Sequence, residues 1–230
     1  MNRMILAVAV AVALSPIAAQ AQTAGTTYIS VAAGINKMQH ERVHVHLDGS
    51  PAPSVSGELL TKTGPAFVVS IGKNLGSQWR TELGFDYRSD KIKGESGLQG
   101  ETNGTGTETK YGVMANALYD FDAWGLHPYL GAGLGGQFVH EPTAHSSNGP
   151  VSVTVEGATH GSFAYQGIAG LAFPLQSASG MAITLEYRYL ALTGTRNYHG
   201  TATVPGSGSF PLTDTSDSDQ NHTLLLGLRF

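Results

Sequence analysis

Hydrophobic and polar residues alternate along much of the chain with a period of two. The clearest case is 79–88 (WRTELGFDYR), where odd positions are apolar or aromatic apart from one threonine and even positions carry four charges. Segments 110–120 and 181–191 repeat this arrangement. Such alternation is typical of a β-strand with two unlike faces, so the pattern predicts strands and not helices.

Eight segments carry this pattern or a glycine-rich form of it: 28–36, 65–72, 79–88, 110–120, 126–138, 163–173, 181–191 and 221–230. The connections between them alternate strictly between short and long. The short ones are 74–77, 121–125 and 174–180, and the long ones are 37–63, 89–108, 139–160 and 193–218. Barrels of the outer membrane have short periplasmic turns and long outer loops, whereas a secreted β-sandwich, the alternative, gives no reason for the alternation. We therefore predict an all-β fold, an eight-stranded antiparallel up-and-down transmembrane β-barrel.

Aromatic residues agree with an apolar face that contacts lipid. They stand at the predicted strand ends, where interfacial girdles form: Trp79, Tyr87, Tyr119, Trp124, Tyr187 and Tyr189.

The first residues predict export. A positive start with Arg3, an apolar run and the small-residue pattern 19–21 are typical of a signal peptide over 1–21. The barrel domain is then expected over 22–230. The chain has no cysteine and a net charge of −4, which argues against thiolate chemistry and against nucleic acid as a partner.

Several stretches carry a family resemblance. The segments HPYLGAGLGG, FAYQGIAGLAF and LEYRYL and the terminal phenylalanine together resemble the small eight-stranded outer-membrane barrels of Gram-negative bacteria, including the OmpA transmembrane domain and surface-antigen relatives. The resemblance implies a structural, adhesin-like or surface-antigen role, with outer-membrane lipid, the barrel-assembly machinery and host or environmental surface ligands as partners of a monomer. The strand face that ends the chain resembles the assembly signal of that family: Leu224, Leu226, Leu228 and Phe230.

The polar strand face predicts a charged interior. Its charged members are Arg80, Glu82, Asp86, Arg88, Lys110, Asp120, Glu186, Arg188 and Arg229. Eight strands enclose a space that side chains can just fill, and an unpaired buried charge is costly. We therefore expect paired charges that plug the lumen, with a narrow ion channel or porin as the alternative.

Histidines are concentrated in the long connections, and 40–48 (HERVHVHLD) looks at first like a metal site. Continued without a bulge, the first strand would turn Val43, Val45 and Leu47 outward and the histidines toward the barrel axis. The weak metal or pH-sensing candidates are therefore His44, His46 and Asp48, on a strand pattern that requires neither role.

One enzyme interpretation rests on 145–148 (HSSN), which is similar to the lipid A deacylases. It would make His145 the base, Ser147 the nucleophile and Glu156 the nearby acid. However, the following Asn-Gly is a strong turn signal, which places the pair near a hairpin tip, away from acyl chains. We therefore assign no catalytic residue and no cofactor.

Overall fold

The computed structural model describes residues 24–39, 41–49, 54–96, 102–121, 127–148, 150–175, 180–217 and 219–230. The predicted signal peptide over 1–21 lies outside these residues. Within them, no helix is long and apolar enough to span a membrane.

Strands account for the described structure. In chain order they are β1 Thr27–Met38, β2 Glu41–Leu47, β3 Val55–Thr61, β4 Gly64–Gly76, β5 Trp79–Ser96, β6 Thr102–Asp120, β7 His127–Glu141, β8 Ala144–Asn148, β9 Val151–Val155, β10 Ala158–Pro174, β11 Ala182–Thr193, β12 Arg196–Val204, β13 Gly208–Ser216 and β14 Gln220–Arg229.

Eight of these strands form a closed antiparallel barrel. The order around the wall is β1, β4, β5, β6, β7, β10, β11 and β14, so each strand pairs with its barrel neighbour along the chain. The last strand then pairs with the first, with Ser30 opposite Arg229 and Met38 opposite Asn221. Closure leaves no unpaired edge. The predicted eight-stranded barrel is confirmed, and a two-sheet sandwich is excluded.

The barrel wall has an apolar outer face and a polar inner face. On β5, Leu83 and Phe85 are half exposed, while Glu82 and Asp86, which flank them in the sequence, are buried. Aromatic rings gather at both ends of this outer band. Trp79 packs against Tyr119 near the short turns, and at the other end Phe67 contacts Tyr87 and Tyr111 stacks on Phe138. Trp124 lies outside the described residues.

The long connections are themselves built of strands. We call β2, β3, β8, β9, β12 and β13 the collar. They continue the sheet beyond β5 in the order β3, β2, β13, β12, β9 and β8, and β8 comes back alongside β6. Three hairpins from distant parts of the chain are therefore joined by backbone hydrogen bonds into one wall above the barrel.

The collar corrects one prediction about the histidine-rich segment. Val43 is buried against Met38 and Leu59 inside the wall, whereas His44 and His46 lie on the outer side. Val45 is half-buried and Leu47, at the end of β2, is exposed, but both are opposite buried residues of β13, so the predicted outward face was wrong. The reason is that β1 ends at Met38 and β2 starts a new pairing, with β3 and β13, so the parity of β1 does not continue. Residue 40 lies outside the described part of the chain.

Candidate functional site

All nine predicted lumen residues lie on inward-facing positions of the barrel strands. Eight are buried and Arg229 is partly exposed. Period-two geometry explains this placement, since the even positions of β5, β6 and β11 and the odd positions of β14 share the inner face. What the sequence left open is how these charges pair.

Near the short-turn end, Arg80 is the centre of one cluster. Its Nε donates to both carboxylate oxygens of Asp120 at 3.0 and 3.1 Å, and its Nη1 donates to Glu82 at 2.5 Å and to the hydroxyl of Tyr28 at 2.8 Å. The Tyr28 hydroxyl in turn donates to Glu82 at 2.8 Å. The ring of Tyr129 lies 4.5 Å from the Arg80 guanidinium carbon, a cation–π distance. The guanidinium is thus enclosed by partners.

A second cluster lies next to the first. Arg188 donates to Glu186 at 2.5 Å, and the hydroxyl of Tyr129 donates to the other Glu186 oxygen at 3.0 Å. Tyr129 therefore joins the two clusters, since its ring contacts Arg80 and its hydroxyl contacts Glu186. The space left among these side chains is a void of about 10 Å³, close to the smallest volume that holds one water molecule.

A third cluster fills the middle of the barrel. Arg88 is ion-paired with Asp86, and it also donates from Nε to the hydroxyl of Thr223 at 3.2 Å. Gln137 donates to the second oxygen of Asp86 at 2.9 Å. The Thr223 hydroxyl in turn donates to the side-chain oxygen of Asn36 at 2.8 Å. Charged and neutral polar groups are thereby linked across the barrel interior.

The uppermost cluster joins the barrel to the collar. Lys110 is ion-paired with Glu108 and lies 3.1 Å from a carboxylate oxygen of Asp219. Arg196, from collar strand β12, lies 3.4 Å from the same Asp219 oxygen. All four side chains are buried. A collar residue therefore completes a network that starts inside the barrel.

Glu141 lies beside this uppermost cluster at the end of β7. Burial, and then the neighbouring Glu108, raise the pKa of Glu141 from its usual value of 4.5 to about 8, and the nearby Arg196 and Tyr198 offset only part of this. The Glu141 carboxyl is thus expected to be protonated at neutral pH. Next to it, His160 packs edge-on against Tyr198 with ring centroids 4.8 Å apart.

The sequence did not indicate several members of these clusters. Asp90 and Glu108 continue the even-numbered inner faces of β5 and β6, and Tyr28 and Tyr129 lie on inner faces too, so simple parity would have found them. Asp219 and Arg196 carry no such signal, because their place depends on how the last hairpin folds over the barrel.

The histidine candidates do not converge. His44 lies 2.8 Å from the Ser56 hydroxyl and 3.4 Å from Asp217, and Asp48 accepts from Thr213. His140 and His145 each contact a cross-strand threonine at 2.9 and 3.1 Å. Among the residues that the structure describes, no three His, Asp or Glu side chains are grouped to hold a metal ion.

The deacylase candidates lie in the β8–β9 hairpin. His145 is opposite Thr154 and Ser147 is opposite Ser152 in the backbone register. The exposed ring of His145 contacts Thr154. The hairpin placement is the one that the Asn-Gly turn signal predicted.

The last strand closes the barrel with the outward face that the sequence indicated. Leu224, Leu226 and Leu228 are exposed on the lipid side. The backbone of Phe230 exchanges two hydrogen bonds with Ile29 on β1, at 2.8 and 2.9 Å.

Comparison with known proteins agrees with this architecture. A curated outer membrane protein of Gluconacetobacter diazotrophicus is 30% identical over 95% of this chain, and the chain spans 60% of that relative's length. The crystal structure of the outer membrane protein OprG from Pseudomonas aeruginosa superposes with a TM-score of 0.58 at 13% identity, covering 92% of this chain and 99% of that one. The outer membrane protease OmpT from Escherichia coli superposes with a TM-score of 0.54 at 7% identity, covering 89% and 96%. These two structures are similar in fold alone. The model of the outer membrane protein beta-barrel domain family matches residues 4–230, and the chain belongs to that family.

Proposed function

We propose that the protein is exported, is inserted by the barrel-assembly machinery, and stands in the Gram-negative outer membrane with its collar facing the outside. There it acts as a non-enzymatic structural and surface-interaction protein of the adhesin or surface-antigen kind. The observation that carries this proposal is the collar itself. Its hairpins form one hydrogen-bonded wall, and binding residues are often carried by connecting segments on a rigid scaffold.

The outer surface of the collar is suited to recognition by hydrogen bonding. Its outward positions are mostly histidine, threonine, serine and asparagine, joined across strands by pairs such as Thr215 with Asn197 and Thr203 with Ser209. These cross-strand pairs hold the side chains in a fixed arrangement. A polar, ordered surface of this kind supports binding to a host or environmental ligand.

The orientation can be tested because the chain has no cysteine. Thr201→Cys places a single exposed thiol on collar strand β12, and Ser77→Cys places one in the β4–β5 turn at the opposite end. A membrane-impermeant maleimide should label Thr201→Cys in intact cells and Ser77→Cys only after lysis. The reverse pattern would overturn the proposal.

A surface-interaction role requires the outer face of the collar. Cells that present the protein should adhere to at least one member of a panel of immobilised matrix proteins and polysaccharides. Replacing Asn197, His199 and Thr201 with alanine should reduce that adherence without loss of heat-modifiable gel migration. If cells with and without the wild-type protein adhere equally, the surface-interaction role is overturned and a purely structural role is left.

We also propose that the charge network closes the lumen. This proposal is supported by the ion pairs and hydrogen bonds that join inward-facing side chains along the length of the barrel, from Asp120 near the short turns to Asp219 below the collar. Purified protein in planar bilayers should therefore give no stable conductance step. A well-resolved, long-lived channel would favour the narrow-channel alternative instead.

A further inference from the structure

Exposed cationic side chains are concentrated on one side of the molecule. Within the described residues, six exposed positions are lysine or arginine: Lys37, Arg42, Lys62, Lys73, Lys91 and Lys93. Lys73 is near the short turns, and the other five lie at the collar end on or beside β1, β2 and β5. The exposed cations at this end are therefore confined to one sector of the wall.

Three of these lysines are close neighbours. Lys37 is next to Asn36, which pairs with Gly64 at the start of β4. Lys62 lies just before that glycine, and its backbone N–H donates to the carbonyl of Lys91 on β5 at 2.8 Å. We call Lys37, Lys62 and Lys91 the lysine patch. Arg42 is not part of it, because it is opposite Glu58 on β3.

The lysine patch lies just beyond the lipid-facing band. Lys37 is two residues past the exposed Ile35 on β1, and Lys91 is four residues past Tyr87 on β5. At the rise of a β-strand these offsets are about 7 and about 13 Å along tilted strands. This is the depth of lipid headgroups, which begin where the hydrocarbon core ends.

Carboxylates are absent from the outward positions at this level, among the barrel residues that the structure describes. The other outward side chains there are neutral or imidazole: Ser89, Thr107, Thr109, His140, Thr159, Thr193, Gln220 and His222. The acids of these same strands, Asp90 and Glu108, are buried on the inner face. At this level, the described part of the barrel wall thus presents cations to an anionic headgroup on one side and no outward carboxylate.

We propose that the lysine patch binds the phosphate groups of lipopolysaccharide in the outer leaflet. The choice of outer-leaflet lipid rests on the proposed orientation, with the collar outside. Lysine ammonium groups bind phosphate as mobile point charges, which suits a glycolipid headgroup that lies against a wall and not inside a pocket. The occupant is a lipid because the lysines lie directly above the lipid-facing band.

The test measures retention of lipid by the purified full chain. Wild-type protein in detergent micelles is titrated with bisphosphorylated lipopolysaccharide, with its dephosphorylated form and with phosphatidylglycerol, and bound lipid is counted by native mass spectrometry. Replacing all three lysines with glutamine should weaken binding of the phosphorylated form on the order of a hundredfold at low salt, because each lysine near an anionic surface contributes roughly a factor of five. Lys73→Gln, an exposed lysine at the opposite end, is the matched control and should bind as wild type.

Other outcomes separate the possible failures. A triple lysine-to-arginine variant should retain binding, and heat-modifiable migration of every variant checks that the barrel is folded. Equal loss of phosphatidylglycerol binding would show a general anionic-lipid surface and overturn the choice of lipopolysaccharide. Unchanged binding in the glutamine variant would overturn the patch. Lipid binding in micelles does not depend on which way the protein is oriented in the membrane. An inverted maleimide pattern would therefore overturn only the outer-leaflet assignment, and the micelle titration would still decide whether the lysine patch binds phosphate.

Discussion

The Nζ atom of Lys110 lies 3.1 Å from a carboxylate oxygen of Asp219, at the level where the barrel passes into the collar. Lys110 belongs to β6, which lies four strands from β14 in either direction around the barrel, and Asp219 directly precedes β14, the strand that closes it. The contact therefore ties the closing strand to the opposite side of the barrel wall, through side chains that are both buried.

Removing this cation should strongly destabilise the fold. Lys110→Gln leaves Glu108 and Asp219 buried with less positive charge, and breaking a buried pair on one side costs about 3–5 kcal/mol. Urea unfolding in detergent, followed by loss of heat-modifiable migration, measures the change. Lys91→Gln on the adjacent strand, where the side chain is exposed, should change stability by less than about 0.5 kcal/mol. Equal effects of the two substitutions would contradict the pairing.

Removing the Tyr28 hydroxyl should lower the free energy of unfolding more than removing the hydroxyl of a lipid-facing tyrosine. It accepts from Arg80 and donates to Glu82, both at 2.8 Å, so Tyr28→Phe removes a partner from each ion. We expect a loss of about 1–3 kcal/mol in unfolding free energy. Tyr165→Phe, on the exposed lipid face, is the control and should be close to neutral.

Gly170 should not tolerate a side chain. A β carbon there would lie 2.2 Å from the Cζ atom of Tyr129, whose hydroxyl is bonded to Glu186. Gly170→Ala must displace that ring, and we expect about 1–3 kcal/mol of destabilisation. Gly167→Ala on the same strand meets nothing within 4 Å and should be neutral or slightly stabilising. If thermal unfolding in detergent gives the same midpoint for both, the ring contact is not a constraint.

Stability should fall as the pH rises toward 8. The pKa of Glu141 is about 8 in the folded protein and near 4.5 when unfolded, so the folded state holds a proton that the unfolded state releases between these values. The unfolding free energy then declines between about pH 5 and pH 8 and is constant above, by at most about 5 kcal/mol. Glu141→Gln, which stays neutral, should flatten this part of the profile. A profile identical to wild type would show that the carboxyl is ionised in the folded protein.

The face of β2 can be checked with two substitutions. Val43→Asp puts a charge against Met38 and Leu59 inside the wall, whereas His46→Asp puts one on the outer surface. We expect Val43→Asp to open the collar to trypsin, at a cost of about 3 kcal/mol or more, while His46→Asp leaves the digestion pattern unchanged. The opposite result would restore the parity that the sequence alone suggested.

Local alternation in the sequence determined the barrel and the inner position of its charges. Each strand's two faces are set by a period of two, which needs no knowledge of distant residues, and the short and long connections then set the topology. Arg80, Glu82 and Arg188 could therefore be placed inside before their partners were known. Asp90, Glu108, Tyr28 and Tyr129 follow the same parity and were within reach of the same reasoning.

Only the tertiary structure decided what lies above the barrel. The long hairpins pair with one another across the chain, and a strand that starts a new pairing takes a new parity, because a shift of one residue exchanges its two faces. This is why Val43 is buried and His44 and His46 are outside, against the sequence-based prediction. It is also why Arg196 and Asp219 complete the charge network of Lys110. The register of docked hairpins arises from contacts between distant segments, and no local pattern contains it.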